Sequence, residues 1–270
     1  MSCRSLPTEL LDPIIDHLHD STDALRTCCL VSKSWVPRTR KHIFADVKLC
    51  TPRELRSWKT AFPDPSNSPS HYTKTLCIGC PQEVTAADAQ EGGWLRGFSR
   101  VVQLDISLHV DSLLVVWRED RDLSTISLVP FHGFSPALKS LHLDFYPFTV
   151  SSVFNLILSF PLLKDLTVVS FCGFITGDFK GQPVPVHPSS SPTLSGSLRL
   201  FARKGLDIFA SHLSSIPRRH HFRKLTLSLY REGDVLPVVT LVQECSSTLE
   251  FLEIDCRFTC TVVLRSRSCP

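Results

Sequence analysis

The chain reads as an α/β protein in two parts, a short helical unit followed by a long repetitive region of parallel strands and helices. Three observations predict this. Residues 6–44 carry three short helical patterns. From residue 76 onward a unit of the form apolar-x-x-Leu-x-apolar keeps returning. Between its copies lie stretches whose apolar residues recur at helical spacing.

In the opening unit, Leu10, Ile14 and Leu18 recur every four residues, and Leu11 and Ile15 widen the stripe. Pro7 suits a first helical position, where the backbone N–H has no partner in any case. Pro13 removes a hydrogen bond to the carbonyl of Glu9, which predicts a kink. Asp20 is the expected cap of a second helix, with Asp23 in its first turn and Leu25, Cys28 and Cys29 on one face. Ser34 is the expected cap of a third helix that tolerates Pro37 near its start. Three helices this short bury little surface of their own, so the unit should lean on a larger domain or a partner chain.

Next comes Ala45-Asp46-Val47-Lys48-Leu49, a short alternating strand. Residues 63–71 hold three prolines and three serines and read as a loop. The repeats follow. Leu138-Lys139-Ser140-Leu141-His142-Leu143, Leu163-Lys164-Asp165-Leu166-Thr167-Val168, Phe222-Arg223-Lys224-Leu225-Thr226-Leu227 and Leu249-Glu250-Phe251-Leu252-Glu253-Ile254 share one pattern, and Val101–Ile106 fits it. Looser copies centre on Leu76, Ile126 and Leu198. Central positions at 76, 104, 126, 141, 166, 198, 225 and 252 leave gaps of 28, 22, 15, 25, 32, 27 and 27 residues. In each copy the central Leu and the apolar residue two further on point the same way along a strand.

Helical stripes fill the gaps. Val150, Val153, Phe154, Ile157 and Leu158 form one, stopped by Pro161. Leu206, Phe209, Leu213 and Ile216 form another before Pro217. Asp234 is the expected cap of a third, with Val235, Val238, Val239 and Val242 on its buried face. The spacing is similar to that of leucine-rich repeats, whose period is about 20–29 residues. That resemblance implies an irregular α/β solenoid, strands lining one face and helices the other, each unit burying its apolar side only by stacking on its neighbours. The asparagine that many such repeats place after the strand is missing. Domain limits follow: a helical unit at 1–45, a solenoid at 46–256 with a Pro/Ser-rich insertion at 182–197, and a frayed or truncated tail at 257–270.

The opening residues carry a second resemblance. Leu6-Pro7-x-Glu9-Leu10-Leu11-x-x-Ile14-Ile15-x-x-Leu18, followed by Leu30-Val31-Ser32-Lys33-Ser34-Trp35, resembles the two halves of an F-box, with Ser32 and Lys33 in place of the commoner Cys and Arg. It covers the first sixth of the chain. An F-box followed by irregular repeats with Pro- and Ser-rich loops is similar to large receptor families in fungi. The resemblance implies a non-catalytic substrate receptor of a cullin–RING ubiquitin ligase, in which Leu6, Pro7, Leu10, Leu11, Ile14, Leu30, Val31 and Trp35 contact a Skp-type adaptor or hold the helices for it. The repeats would bind a protein substrate in the cytoplasm or nucleus. A repeat scaffold unconnected with any ligase is the alternative.

Composition narrows the classes further. Hydrophobic residues make up 43% and charged residues 20%, a globular balance. The net charge of +3 is too small to suggest a nucleic-acid partner. The start has no signal-peptide character, and the longest apolar runs are far too short to span a bilayer. Eleven unevenly spaced cysteines and no glycosylation sequon favour a reducing, intracellular setting. Cys77-Ile78-Gly79-Cys80 lacks the second ligand pair that zinc wants, so no metal or other cofactor is expected. Two basic clusters, Lys33/Arg38/Arg40/Lys41 and Arg218-Arg219-His220-His221, read as solvated surfaces. Nucleophile-elbow, phosphate-loop and zinc-protease motifs are missing, and no catalytic residue is nominated.

Overall fold

A single leucine-rich ladder organises the chain. In this computed structural model residues 8–107, 127–144, 149–170, 194–203, 205–215 and 221–257 are described. Among the described residues eight strands lie parallel in one sheet, each paired with the next in chain order. They are β1 (Asp46–Leu49), β2 (Thr75–Ile78), β3 (Gln103–Ser107), β4 (Ser140–Asp144), β5 (Asp165–Ser170), β6 (Ser197–Ala202), β7 (Lys224–Leu229) and β8 (Phe251–Cys256). Register places Val47, Leu76, Leu104, Leu141, Leu166, Leu198, Leu225 and Leu252 side by side. Two residues on, Leu49, Ile78, Ile106, Leu143, Val168, Leu200, Leu227 and Ile254 form a second row. Both rows are buried from β1 to β7, whereas Leu252 and Ile254 of β8 are 42% and 41% exposed.

A backbone device repeats with the side chains. The Ala45 carbonyl accepts from Lys74 N and Thr75 N at 2.8 and 3.0 Å, and Lys74 accepts in the same way from Val102 and Gln103. Val102, Lys139, Gly196 and Arg223 carbonyls each take two consecutive N–H groups at the start of the following strand. These bonds satisfy the backbone where one strand joins the next.

The series differs from the predicted one at two points. Val47 and Leu49 belong to the ladder, so β1 is its first rung. Ile126 lies outside the described residues, and β3 pairs directly with β4, so the sheet has no rung between Leu104 and Leu141, 37 residues apart. An apolar alternation alone cannot tell a rung from a crossover segment.

Crossovers are uneven. α4 (Pro52–Ala61) follows β1, and α5 (Ala86–Ala89) is a single turn after β2. Short 3₁₀ turns at Pro69–Tyr72, Pro81–Glu83, Trp94–Phe98 and Val129–Phe131 serve the early repeats. The expected loop at 63–71 therefore ends in an ordered turn, with Ser68, Pro69 and Ser70 buried. The later repeats carry α6 (Val150–Leu158), α7 (Leu206–Ser215) and α8 (Val235–Cys245). α6 buries Val150, Val153, Phe154 and Ile157 of its predicted stripe and Leu156 besides, while Leu158 is half-buried. α7 buries Leu206, Phe209 and Leu213, and Ile216 lies outside the described residues. α8 is rotated from the expected face: Val238, Leu241 and Cys245 are buried, while Val235 and Val239 are exposed. Asp234 precedes α8 but its side chain does not cap it; it accepts from Arg231 N at 3.1 Å instead. Of the Pro/Ser-rich stretch, Leu194 is buried and Ser197 opens β6; residues 182–193 and the tail from 258 lie outside the described residues.

Ahead of the sheet stand α1 (Thr8–His17), α2 (Thr22–Val31) and α3 (Val36–Ile43), with α1 and α2 both packed on α3. α1 runs through Pro13 as one unbroken helix. Ser21, not Asp20, caps α2, accepting from Ala24 N at 3.4 Å. Ser34 does not cap α3: a 3₁₀ turn at Lys33–Trp35 leads into it, and Ser32 caps that turn. Among the described residues no helix is long and apolar enough to cross a membrane.

Candidate functional site

The three N-terminal helices divide their apolar residues between two faces. Leu11, Ile15, Leu25 and Cys28 point inward and are buried, forming a small core apart from the large one under the sheet. Leu10 and Ile14, one helical turn apart, are 56% and 52% exposed on α1. Leu30 and Val31, at the end of α2, are exposed too, Leu30 to 88%.

A polar clamp holds this arrangement. The Asp16 carboxylate accepts from Arg38 through both oxygens, with Nε at 2.7 Å, and its Oδ1 lies 2.7 Å from His42 Nε2. The Arg38 hydrogen bond, and then that of His42, hold the Asp16 carboxyl well below the usual carboxylate range. Asp12 adds a looser contact to Arg38 at 3.7 Å. Beneath the clamp, the buried Thr39 hydroxyl donates to the Trp35 and Val36 carbonyls. α1 is thereby fastened across 22 and 26 residues of sequence, and its outward leucine and isoleucine are held rather than free to turn inward.

Of the eight residues predicted to meet an adaptor, Leu10, Ile14, Leu30 and Val31 are on the outside, Trp35 is half-buried and Leu11 is buried. Leu6 and Pro7 lie outside the described residues. The first basic cluster is split: Arg38 is committed to Asp16, while Lys33, Arg40 and Lys41 are exposed. In the second cluster His221 is exposed and residues 218–220 lie outside the described residues.

The sheet's other face carries a polar row at the register position between the two ladder rows: Lys48, Cys77, Asp105, His142, Thr167, Arg199, Thr226 and Glu253. Charges of both signs alternate with small polar groups. Cys77 sits there with its sulfur 4.0 Å from Cys50 Sγ and 3.8 Å from Ser107 Oγ. Burial, reinforced by the negative Asp105, pushes its thiol up to about 12, which leaves it protonated and a poor nucleophile. Cys80 is fully buried, lies 3.8 Å from the Leu49 carbonyl, and is pushed up to about 11 chiefly by burial. Gly79 between them abuts the Cys50 backbone, where an added Cβ would collide. Among the described residues no group of three or more His, Cys, Asp or Glu is placed to hold a metal ion.

α4, absent from the predicted elements, creates a further feature. Thr51-Pro52-Arg53-Glu54 is a capping box: Thr51 Oγ1 accepts from Glu54 N at 3.2 Å, and Glu54 Oε2 accepts from Thr51 N at 3.0 Å. That Thr-x-x-Glu signature was present in the sequence. The helix sets Trp58 and Phe62 against Phe44 in an edge-and-tilt aromatic cluster, with ring centroids 4.8–6.2 Å apart. An open groove of about 700 Å³ lies between this helix and β1.

Compared with protein-family models, with curated proteins and with solved structures, the chain matches none.

Proposed function

We propose that this chain is a non-catalytic substrate receptor of a cullin–RING ubiquitin ligase. In this reading the N-terminal helices act as an F-box that docks on a Skp-type adaptor. The parallel sheet and its helices form an irregular leucine-rich-repeat solenoid that holds a protein substrate on the polar strand face, in the cytoplasm or nucleus. The observation that carries the reading is the outward placement of Leu10, Ile14, Leu30 and Val31 on helices whose inner faces are already filled. Fully burying an aliphatic side chain of this size is worth roughly 1.5–3 kcal/mol. Four left in water on two short helices support a partner protein as their cover.

The chemistry asked of such a receptor is placement. Holding a substrate near a ubiquitin-charged enzyme supplied by other subunits raises their effective concentration without a reacting group on this chain. Leu11 then serves by holding α1 on α3 rather than by contact, and Asp16, Arg38 and His42 serve in the same way.

Co-purification with the adaptor tests this. The Leu10→Asp, Ile14→Asp double variant changes only exposed side chains, so it should keep the parent's circular dichroism and lose the adaptor. Unchanged adaptor recovery would remove the proposed interface and leave a repeat scaffold without a ligase.

A further inference from the structure

The groove on the opening edge of the sheet goes beyond the ligase reading and does not depend on it. We propose that it is a docking site for an extended segment of a partner protein bearing a large apolar residue flanked by acidic ones.

Three observations specify this occupant. The first is the floor. The half-buried rings of Phe44 and Phe62 line the groove over the buried Leu49 and Trp58, and a volume of about 700 Å³ is within the size range of ligand pockets. The second is the wall. Among the described residues β1 ends the sheet, pairing only with β2, so its outer edge offers backbone N–H and C=O groups to an extended chain.

The third is the charge balance. Lys48 and Arg53 line the groove, both are exposed, and neither has an ion-pair partner among the described residues. Glu54 lines it as well, but its carboxylate is committed to the helix cap, accepting from Cys50 N at 2.8 Å and Thr51 N at 3.0 Å. Two exposed cations against one carboxylate therefore leave the lining with a net charge of +1 beside its apolar floor. An acidic segment with an apolar anchor satisfies both, whereas a basic one would meet like charge. Two cations are too few for a nucleic-acid backbone, which is bound through many phosphate contacts.

Random dodecamer peptides displayed on phage and selected on the purified full-length chain test the proposal. Two variants at exposed positions serve as comparators: Ala61→Trp, which fills the groove, and Lys48→Glu, Arg53→Glu, which reverses its charge. The expected result is enrichment of peptides with an aromatic or large aliphatic residue beside Asp or Glu, binding each variant at least about tenfold more weakly than the parent. No enrichment, enrichment of basic peptides, or peptides that bind parent and Ala61→Trp equally would each overturn it. Because no adaptor is present, the outcome is separate from that of the Leu10→Asp, Ile14→Asp test.

Discussion

Asp16 shows how much one side chain decides in a unit this small. It ties α1 to α3 through Arg38 and His42, and those bonds hold its carboxyl below the range of an unfolded aspartate, near 3.9. A carboxyl depressed by folding stabilises the fold above the unfolded value, and that contribution fades as pH falls below it toward the folded one. The melting temperature should therefore drop as pH falls from about 4 to about 2. In Asp16→Asn the acid limb should be shallower and the stability at pH 7 lower. Identical acid profiles for parent and variant would show that the clamp does not support the unit. At the same scale, Gly79 and Cys80 turn a sequence that looks like half a zinc site into packing: one residue is small because the Cys50 backbone abuts it, the other is buried.

At the scale of single elements, what the sequence revealed depended on how strongly each helix is two-sided. α6 was legible because its apolar residues fill one face. α8 was not. Leu236, Val238, Val239, Leu241 and Val242 surround it on most sides, so periodicity could not choose the face that meets the core. α4 was legible in principle through its capping box, although its mean hydropathy is low. Thr51→Ala removes the side-chain half of that box and should cost about 1 kcal/mol, in the ~0.5–2 kcal/mol range of such caps, read from the urea midpoint. The same variant should weaken peptide binding at the groove, because α4 supplies Trp58 and Phe62 to its floor. The opening helices were legible as helices, but Ser21 and Ser32 show that starts within this unit are set by local hydrogen bonds rather than by the apolar stripe.

Across the whole molecule, stability is distributed along the ladder. Each rung contributes two apolar side chains sandwiched between those of its neighbours, so a rung is worth most where both sides are covered. Leu225, fully buried in β7, and Leu252, 42% exposed in β8, are register partners with the same chemistry. Leu225→Ala should cost about 2–5 kcal/mol, the usual range for buried leucine truncation. Leu252→Ala should cost well under half of that, since much of its surface is already in water. Chemical denaturation of the two variants measures the difference, and equal losses would mean that β8 is covered in solution. The helical unit keeps its own small core apart from the ladder, which is why its outer leucine and isoleucine are not drawn into the sheet.

The sequence by itself determined which pairs of residues share a face, because a strand puts residues i and i+2 on one side whatever surrounds it. It also determined that the chain opens with short helices. Only the tertiary structure decided that no rung lies between Leu104 and Leu141, which side of α8 is inside, that Leu11 is buried while Leu10 is not, and that α4 leaves a groove against β1. Periodicity states which side chains travel together. What covers them depends on the next element laid down, and that is a property of packing.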